Sequence, residues 1–112
     1  MVRLKRKYIA VILMGIAGSA TVASERMEDG RQTYEAACAR CHNAGVDAAP
    51  IKGQTGDWSE RSHLWDAVLA EHAEKGYVRM PAKGGDTGLS EYDVDAAAEY
   101  MLTESHPQQK PD

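Results

Sequence analysis

Two cysteines and a histidine stand within five residues of one another, in the order Cys38-Ala39-Arg40-Cys41-His42, and the chain has no other cysteine. Two thiols one helical turn apart can add to the two vinyl groups of a haem. The thioether bonds would hold the macrocycle against His42, whose imidazole can bind the iron from one side. The spacing therefore predicts one haem c attached covalently through Cys38 and Cys41, with His42 as an axial iron ligand.

Three other chemistries can use such a cysteine pair, and the surrounding sequence favours none of them. A disulfide between Cys38 and Cys41 would close a very small loop and stabilise the fold little. A thioredoxin-like redox pair needs a βαβ context, which the sequence pattern does not predict. A zinc site needs two further ligands, and the remaining histidines, His63, His72 and His106, show no matching pair spacing.

A histidine-ligated haem iron has a second axial position, for which Met80 is the predicted ligand. It lies in a glycine-containing loop, and Pro81 biases its backbone towards an extended conformation. A thioether is a soft ligand suited to haem iron, and Met/His ligation raises the reduction potential. We expect Met101 in the core and Met27 in a frayed N-terminal stretch. The other candidates for this position are His63, His72 and His106.

Length and composition indicate a single small domain that needs a cofactor to complete its core. The chain has 112 residues, 43% of them hydrophobic, but no Phe, two Trp and five Tyr. A small chain with few large apolar side chains usually depends on a disulfide framework, a metal or a cofactor. Two cysteines only three positions apart cannot form a disulfide framework, and the length excludes repeat arrays and large multi-site enzymes.

The first 23 residues have the pattern of a bacterial secretory signal peptide. Four basic residues precede an apolar run over 8–17, and residues 21–23 (Thr-Val-Ala) give a small-x-small cleavage pattern. The run is shorter than the roughly 20 residues of a spanning helix. We predict a signal peptide over 1–23, a single folded domain over 24–112 and a periplasmic location; an uncleaved N-terminal anchor is the alternative.

Charge restricts the classes of partner. The whole chain has 13 basic and 17 acidic side chains, and loss of the four basic residues in 1–23 leaves nine basic against 17 acidic, a net charge of −8. That balance argues against nucleic acid and anionic lipid as partners. Several basic residues fall in segments expected near the haem and predict a less negative docking face there: Lys52, Arg61, Lys75, Arg79 and Lys83.

Hydrophobic periodicity predicts helices joined by long loops, and no strand. The predicted order is a frayed 24–29, a helix over 30–39, a loop over 43–56, a helix over 62–75, a loop over 77–88 and a final helix. Ser62 and Ser90 are the expected N-caps of the second and last helices. In the last helix Asp93 completes a capping box with Ser90. Its predicted buried stripe consists of Val94, Ala97, Ala98 and Met101.

The order of several motifs resembles the class I c-type cytochromes, and among them the short bacterial cytochrome c-five-like branch. The residues that carry the resemblance are Gly30-x-x-x-Tyr34, the Cys-x-x-Cys-His segment, Ala49-Pro50-x-x-Gly53, Trp58-x-x-Arg61, Gly76, Met80-Pro81-Ala82-Lys83-Gly84-Gly85, Leu89-Ser90 and Ala98-Glu99-Tyr100-Met101. The resemblance implies an all-α small cytochrome c fold, with three to five helices wrapped around one covalently bound haem. The first and last helices would cross at Gly30, Tyr34 and Tyr100.

The same resemblance implies further haem-binding residues. The Pro50 carbonyl would accept a hydrogen bond from the second ring nitrogen of His42 and so orient the ring. Trp58 and Arg61 would lie near the haem edge, with Arg61 pairing with a propionate.

If His42 and Met80 both bind the iron, no coordination position is left for a substrate. This favours electron transfer over catalysis. The expected protein is a soluble periplasmic carrier that passes single electrons between a donor and an acceptor redox protein, as a monomer or weak dimer without membrane insertion. Two alternatives are the electron-accepting subunit of a periplasmic oxidoreductase complex, and a haem-based sensor or enzyme in which Met80 is not a stable ligand.

Overall fold

The computed structural model describes residues 18–59 and 66–106, and helices make up its regular structure. Five are α-helices: α1 (Gly18–Thr33), α2 (Ala39–His42), α3 (Thr55–Ser59), α4 (Asp66–Lys75) and α5 (Glu91–Ser105). A π-helical turn over Tyr34–Cys38 joins α1 to α2, and 3₁₀ turns cover Val46–Ala48 and Ala82–Gly85. Within the described ranges the β-type pairing is an isolated bridge between Tyr77 and Met80. The all-α prediction is therefore confirmed.

The helical segment that leads into the cysteine pair is longer than predicted. Residues 24–29 are helical within α1, so the prediction of a frayed stretch there is wrong. Partners on α5 explain the difference: Arg26 Nε lies 2.6 Å from a Glu99 carboxylate oxygen, and the Tyr92 hydroxyl donates to Asp29 at 2.8 Å. Met27, expected in the frayed stretch, packs against the core. Local composition cannot reveal contacts with residues so far along the chain.

The crossing of α1 and α5 is set by a glycine. A Cβ at Gly30 would lie 2.1 Å from the Ala96 carbonyl oxygen, so only glycine allows this approach of the two backbones. One turn later the rings of Tyr34 and Tyr100 pack at a centroid distance of 5.5 Å. The crossing residues implied by the resemblance are thus in contact as expected.

Helix α5 begins as the sequence predicts. Ser90 Oγ accepts a hydrogen bond from the Asp93 backbone N–H at 3.1 Å, and the Asp93 carboxylate accepts one from the Ser90 N–H at 3.2 Å. The predicted stripe is buried, but so are residues on the flanking positions, because α1, α3 and α4 all pack against this helix. The buried residues of α5 are Val94, Ala96, Ala97, Ala98, Tyr100, Met101, Leu102 and Ser105.

The remaining predicted elements are found with shifted boundaries. Helix α4 ends at Lys75 as predicted and is followed by Gly76, whose φ of +85° is the left-handed conformation favoured after a helix. Its predicted N-cap Ser62 lies outside the described residues, as do residues 1–17 of the predicted signal peptide. Helix α3 begins within the loop predicted over 43–56. None of the described helices is long and apolar enough to cross a membrane.

Replacing Gly30 with alanine tests the helix crossing. The new Cβ would overlap the Ala96 carbonyl, so α1 and α5 must separate, and we expect the free energy of unfolding to fall by about 1–3 kcal/mol. Urea unfolding of the haem-loaded protein measures the change. The matched control is Gly56→Ala in α3, where the new Cβ would have no atom from another part of the described chain within 4 Å; the stability of this variant should stay the same or rise by up to about 1 kcal/mol. Equal stabilities of the two variants would contradict this account of the crossing.

Candidate haem site

The Cys-x-x-Cys-His segment is held at the end of the long N-terminal helical segment. Cys38 closes the π-helical turn, and α2 consists of the single turn Ala39–His42. Both cysteines are free, partly exposed thiols one helical turn apart. Because this segment continues directly from α1, the helix crossing at Gly30 fixes where the thiols lie.

The environment of Cys38 does not resemble that of a reactive redox cysteine. Burial raises the pKa of the Cys38 thiol to about 11. Thioredoxin-like cysteines instead have a lowered pKa, because the thiolate is the reactive form. Among residues 18–59 and 66–106, no three His, Cys, Asp or Glu side chains come together as a metal-ion site.

His42 is oriented by the loop that follows it. The imidazole is buried, and its Nδ1 lies 2.8 Å from the Pro50 carbonyl oxygen. A carbonyl can only accept, so Nδ1 carries the proton and donates. Nε2 is then the nitrogen with the lone pair, as iron binding requires. The hydrogen bond expected from the resemblance is present, and a second one, from the Lys52 N–H to the His42 carbonyl at 2.8 Å, holds the same loop against α2.

Trp58 supports the His42 ring. The two rings stack with a centroid distance of 6.1 Å and an interplanar angle of 22°. The indole Nε1 donates to the Ile51 carbonyl at 2.9 Å, and the Ile51 N–H donates to the Asp57 carboxylate at 3.1 Å. Trp58 is thus a buried residue beside the histidine. Arg61, the other residue expected near the haem edge, lies outside the described residues.

Met80 lies at the end of a tight turn. The backbones of Tyr77 and Met80 exchange two hydrogen bonds, each 2.9 Å long. The half-buried Met80 side chain lines a small cavity together with Cys38. Apolar side chains from the start and inner face of α5 form much of the remaining wall, namely Leu89, Val94, Ala97, Ala98 and Met101. This apolar lining fits a haem, because the haem macrocycle itself is largely apolar.

The other candidates for the second axial position differ in their surroundings. Met101 is buried, as predicted, and also lines the cavity with Met80. His72 stacks on Tyr77 with a centroid distance of 3.9 Å. His106 follows α5, where its N–H donates to the Leu102 carbonyl at 2.8 Å. His63 lies outside the described residues.

Lys52 and Lys83, two of the basic residues expected to form a docking face, are partly buried and have partners within the chain. The Lys52 ammonium lies 4.8 Å and 5.2 Å from the ring centroids of Tyr34 and Tyr100. Lys83 donates to the Leu89 carbonyl at 2.8 Å and lies 3.4 Å from Glu74. These positions make both lysines part of the fold, so neither is a simple surface charge.

Sequence reasoning overlooked Arg40, which it treated as a spacer of the Cys-x-x-Cys-His motif. Its Nη2 donates to the Gly84 carbonyl at 2.8 Å and so contacts the loop that follows Met80. No local signal could reveal this contact, because Arg40 lies in α2 and Gly84 lies 44 residues further along the chain.

Comparison with known proteins gives a family match and several relatives. The family profile described as cytochrome C oxidase, cbb3-type, subunit III, matches residues 25–101. A cytochrome c-555 of Chlorobaculum tepidum is 38% identical over 80 residues, which cover 68% of this chain and 74% of the relative. A cytochrome c-555 of Prosthecochloris aestuarii is 34% identical over 93 residues, or 76% of this chain and 94% of the relative.

A chain of known structure is also similar to this protein. A chain from the crystal structure of an electron-transfer complex of nitrite reductase with cytochrome c superposes with a TM-score of 0.64 at 32% identity, covering 69% of this chain and 94% of its own length. The relatives named cytochromes c are electron carriers rather than enzymes. The chain belongs to the small class I c-type cytochromes, the electron-transfer family whose haem c is bound covalently.

Proposed function

We propose that this protein is a soluble periplasmic electron carrier whose haem iron is bound by His42 and Met80. The observation that supports the proposal is that Met80 and Cys38 line the same cavity although they belong to separate parts of the chain. A haem attached through Cys38 would therefore have the Met80 thioether within the same pocket. The haem, when bound, supplies one iron centre that takes up and releases a single electron.

The residues of the chain favour a closed iron over an open one. The Pro50 carbonyl orients the His42 ring and raises its basicity as a ligand. The paired hydrogen bonds of Tyr77 and Met80 restrict the backbone that carries the thioether. If His42 and Met80 both held the iron, a substrate would have no iron site, and the bound haem would serve electron transfer. Pro50 and Trp58 would act by supporting His42, and Arg61 would pair with a propionate.

Two further features support the location and the partners. The export signal predicted over 1–23 fits a periplasmic location. The Cys38 and Cys41 pair, read as a haem-attachment site, is also compatible with that oxidising compartment. The structural relative was solved with nitrite reductase, a redox enzyme, which supports redox proteins as donor and acceptor. We propose signal cleavage before Ser24, no membrane insertion afterwards, and a monomer or weak dimer.

The second candidate function is an electron-accepting subunit of a larger oxidoreductase. It is favoured by the matched family profile, whose description is that of an oxidase subunit. Gel filtration of the protein from periplasmic extracts separates the two possibilities. A carrier elutes at the mass of the single small chain or its dimer, whereas a permanent subunit elutes with a catalytic partner.

Absorption spectra of the Met80→Ala variant test the axial ligands. We expect the ferric wild type to show a sulfur-to-iron charge-transfer band at about 695 nm. We expect its ferrous form not to bind carbon monoxide. Met80→Ala should lose the band and bind carbon monoxide. The matched control is Met101→Leu, which changes the other methionine of the cavity at similar volume and should keep the band. Loss of the band in Met101→Leu alone would instead make Met101 the ligand.

Arg79 provides a test of where electrons leave the protein. It is exposed in the turn just before Met80, so its charge should attract an anionic reagent and repel a cationic one near the haem. In Arg79→Gln, at low salt, we expect oxidation by hexacyanoferrate(III) to slow about twofold and oxidation by a cationic cobalt complex to accelerate by a similar factor. Both differences should shrink at high salt. Stopped-flow absorbance measures the rates, and the two opposite changes exclude general damage to the protein. Unchanged rates with both oxidants would place the exit elsewhere.

A further inference from the structure

The loop that follows Met80 has a backbone conformation that its own contacts do not fully explain. Lys83, Gly84 and Gly85 have φ values of +54°, +63° and +90°. The left-handed region is unfavourable for a lysine, so the surrounding structure must hold this turn. Inside the loop, two hydrogen bonds of 3.1 Å help, from Gly84 N–H to the Pro81 carbonyl and from Asp86 N–H to the Lys83 carbonyl.

Two side chains connect this loop to the rest of the protein. Lys83 reaches the Leu89 carbonyl and Glu74, which lie at the start of α5 and in α4. Arg40 reaches in the other direction, donating from Nη2 to the Gly84 carbonyl at 2.8 Å. The same guanidinium nitrogen would be 3.6 Å from a Cβ at Gly85. Arg40 is thus the side chain that joins the haem-attachment segment to the Met80 loop.

The loop also lies directly against the helical segment at this point. A Cβ at Gly84 would be 3.0 Å from the Ala37 carbonyl oxygen, which is a close backbone contact. Opening of the loop must therefore break the Arg40 hydrogen bond and separate Gly84 from Ala37.

We propose that Arg40 is a positioning residue for Met80, because its hydrogen bond to Gly84 fastens the methionine loop to the segment that binds the haem. This inference rests on the proposed ligation of the iron by Met80. Arg40 stands between the two attachment cysteines and two residues before His42, so haem attachment anchors one end of the connection. A thioether is a weak ligand that stays bound only while the chain keeps it close. Fastening the loop lowers the population in which Met80 has left the iron.

The guanidinium is suited to this role, but its effect must be moderate. Its planar set of donors can follow a carbonyl through small loop movements better than an ammonium can. Arg40 is exposed, so water competes for the same carbonyl and weakens the interaction. We therefore expect its loss to alter loop opening several-fold while the fold itself remains intact.

Imidazole binding to the ferric, haem-loaded full chain measures loop opening. An added ligand can take the sixth position only when Met80 leaves, so its apparent affinity reports the open population. We expect Arg40→Gln to raise this affinity about fivefold, with Arg40→Lys between the variant and the wild type. Arg31→Gln is the matched control, since Arg31 belongs to α1 and pairs with Glu28 and Glu35 instead of the loop. It should bind imidazole like the wild type.

The intensity of the band at about 695 nm provides a readout other than ligand binding. A fivefold larger open population should weaken the band at elevated temperature in Arg40→Gln before it does so in Arg31→Gln. Equal imidazole affinity in Arg40→Gln and wild type would overturn the role of Arg40, as would an equal rise in Arg40→Gln and Arg31→Gln. A wild type without the band would overturn the Met80 ligation itself, which distinguishes failure of the proposed function from failure of this inference.

Discussion

The close approach of α1 and α5 at Gly30 is the constraint on which the haem site depends. The two backbones meet where a Cβ would be only 2.1 Å from the Ala96 carbonyl. Because α1 runs through the π-helical turn into the cysteine pair, the crossing sets the position of both attachment thiols. The other partner, α5, supplies much of the apolar wall of the cavity that Cys38 and Met80 share. One helix crossing therefore fixes both the attachment point and the pocket.

The two sides of the proposed iron site are supported in different ways. His42 is held by nearby chain, through the Pro50 carbonyl, the Lys52 N–H and the stacked Trp58 ring. The Met80 loop has a local turn with Tyr77, but it is joined to the haem-attachment segment by a contact distant in sequence, and its conformation includes a lysine with positive φ. Local support with several buried contacts is harder to break than long-range exposed contacts. In the proposed carrier, we therefore expect any opening of the iron site to occur on the methionine side.

The features that were predictable from the sequence are those whose determinants are local. The Cys-x-x-Cys-His spacing and the capping box of Ser90 and Asp93 each lie within five residues, so their chemistry can be inferred directly. Residues 24–29 appeared frayed because their stabilising partners, Glu99 and Tyr92, belong to the last helix. The contact of Arg40 with Gly84 could not be predicted for the same reason, since the two residues are 44 positions apart. Periodicity records which side of a helix is apolar, but it does not record which distant group will meet a charged side chain.

Two of the lysines expected to form a docking face are paired with carboxylates, which weakens the case for a basic docking face. A lysine that already neutralises Glu74 contributes little to the long-range field, and the same holds for Lys75, which lies 2.6 Å from Glu71. Close to Met80, the turn instead exposes the apolar side chains of Tyr77 and Val78, next to Arg79. A carrier must release its partner soon after the electron has passed, and a small apolar contact with weak steering allows this. In the proposed carrier, recognition would therefore depend less on a basic surface than the sequence alone predicts.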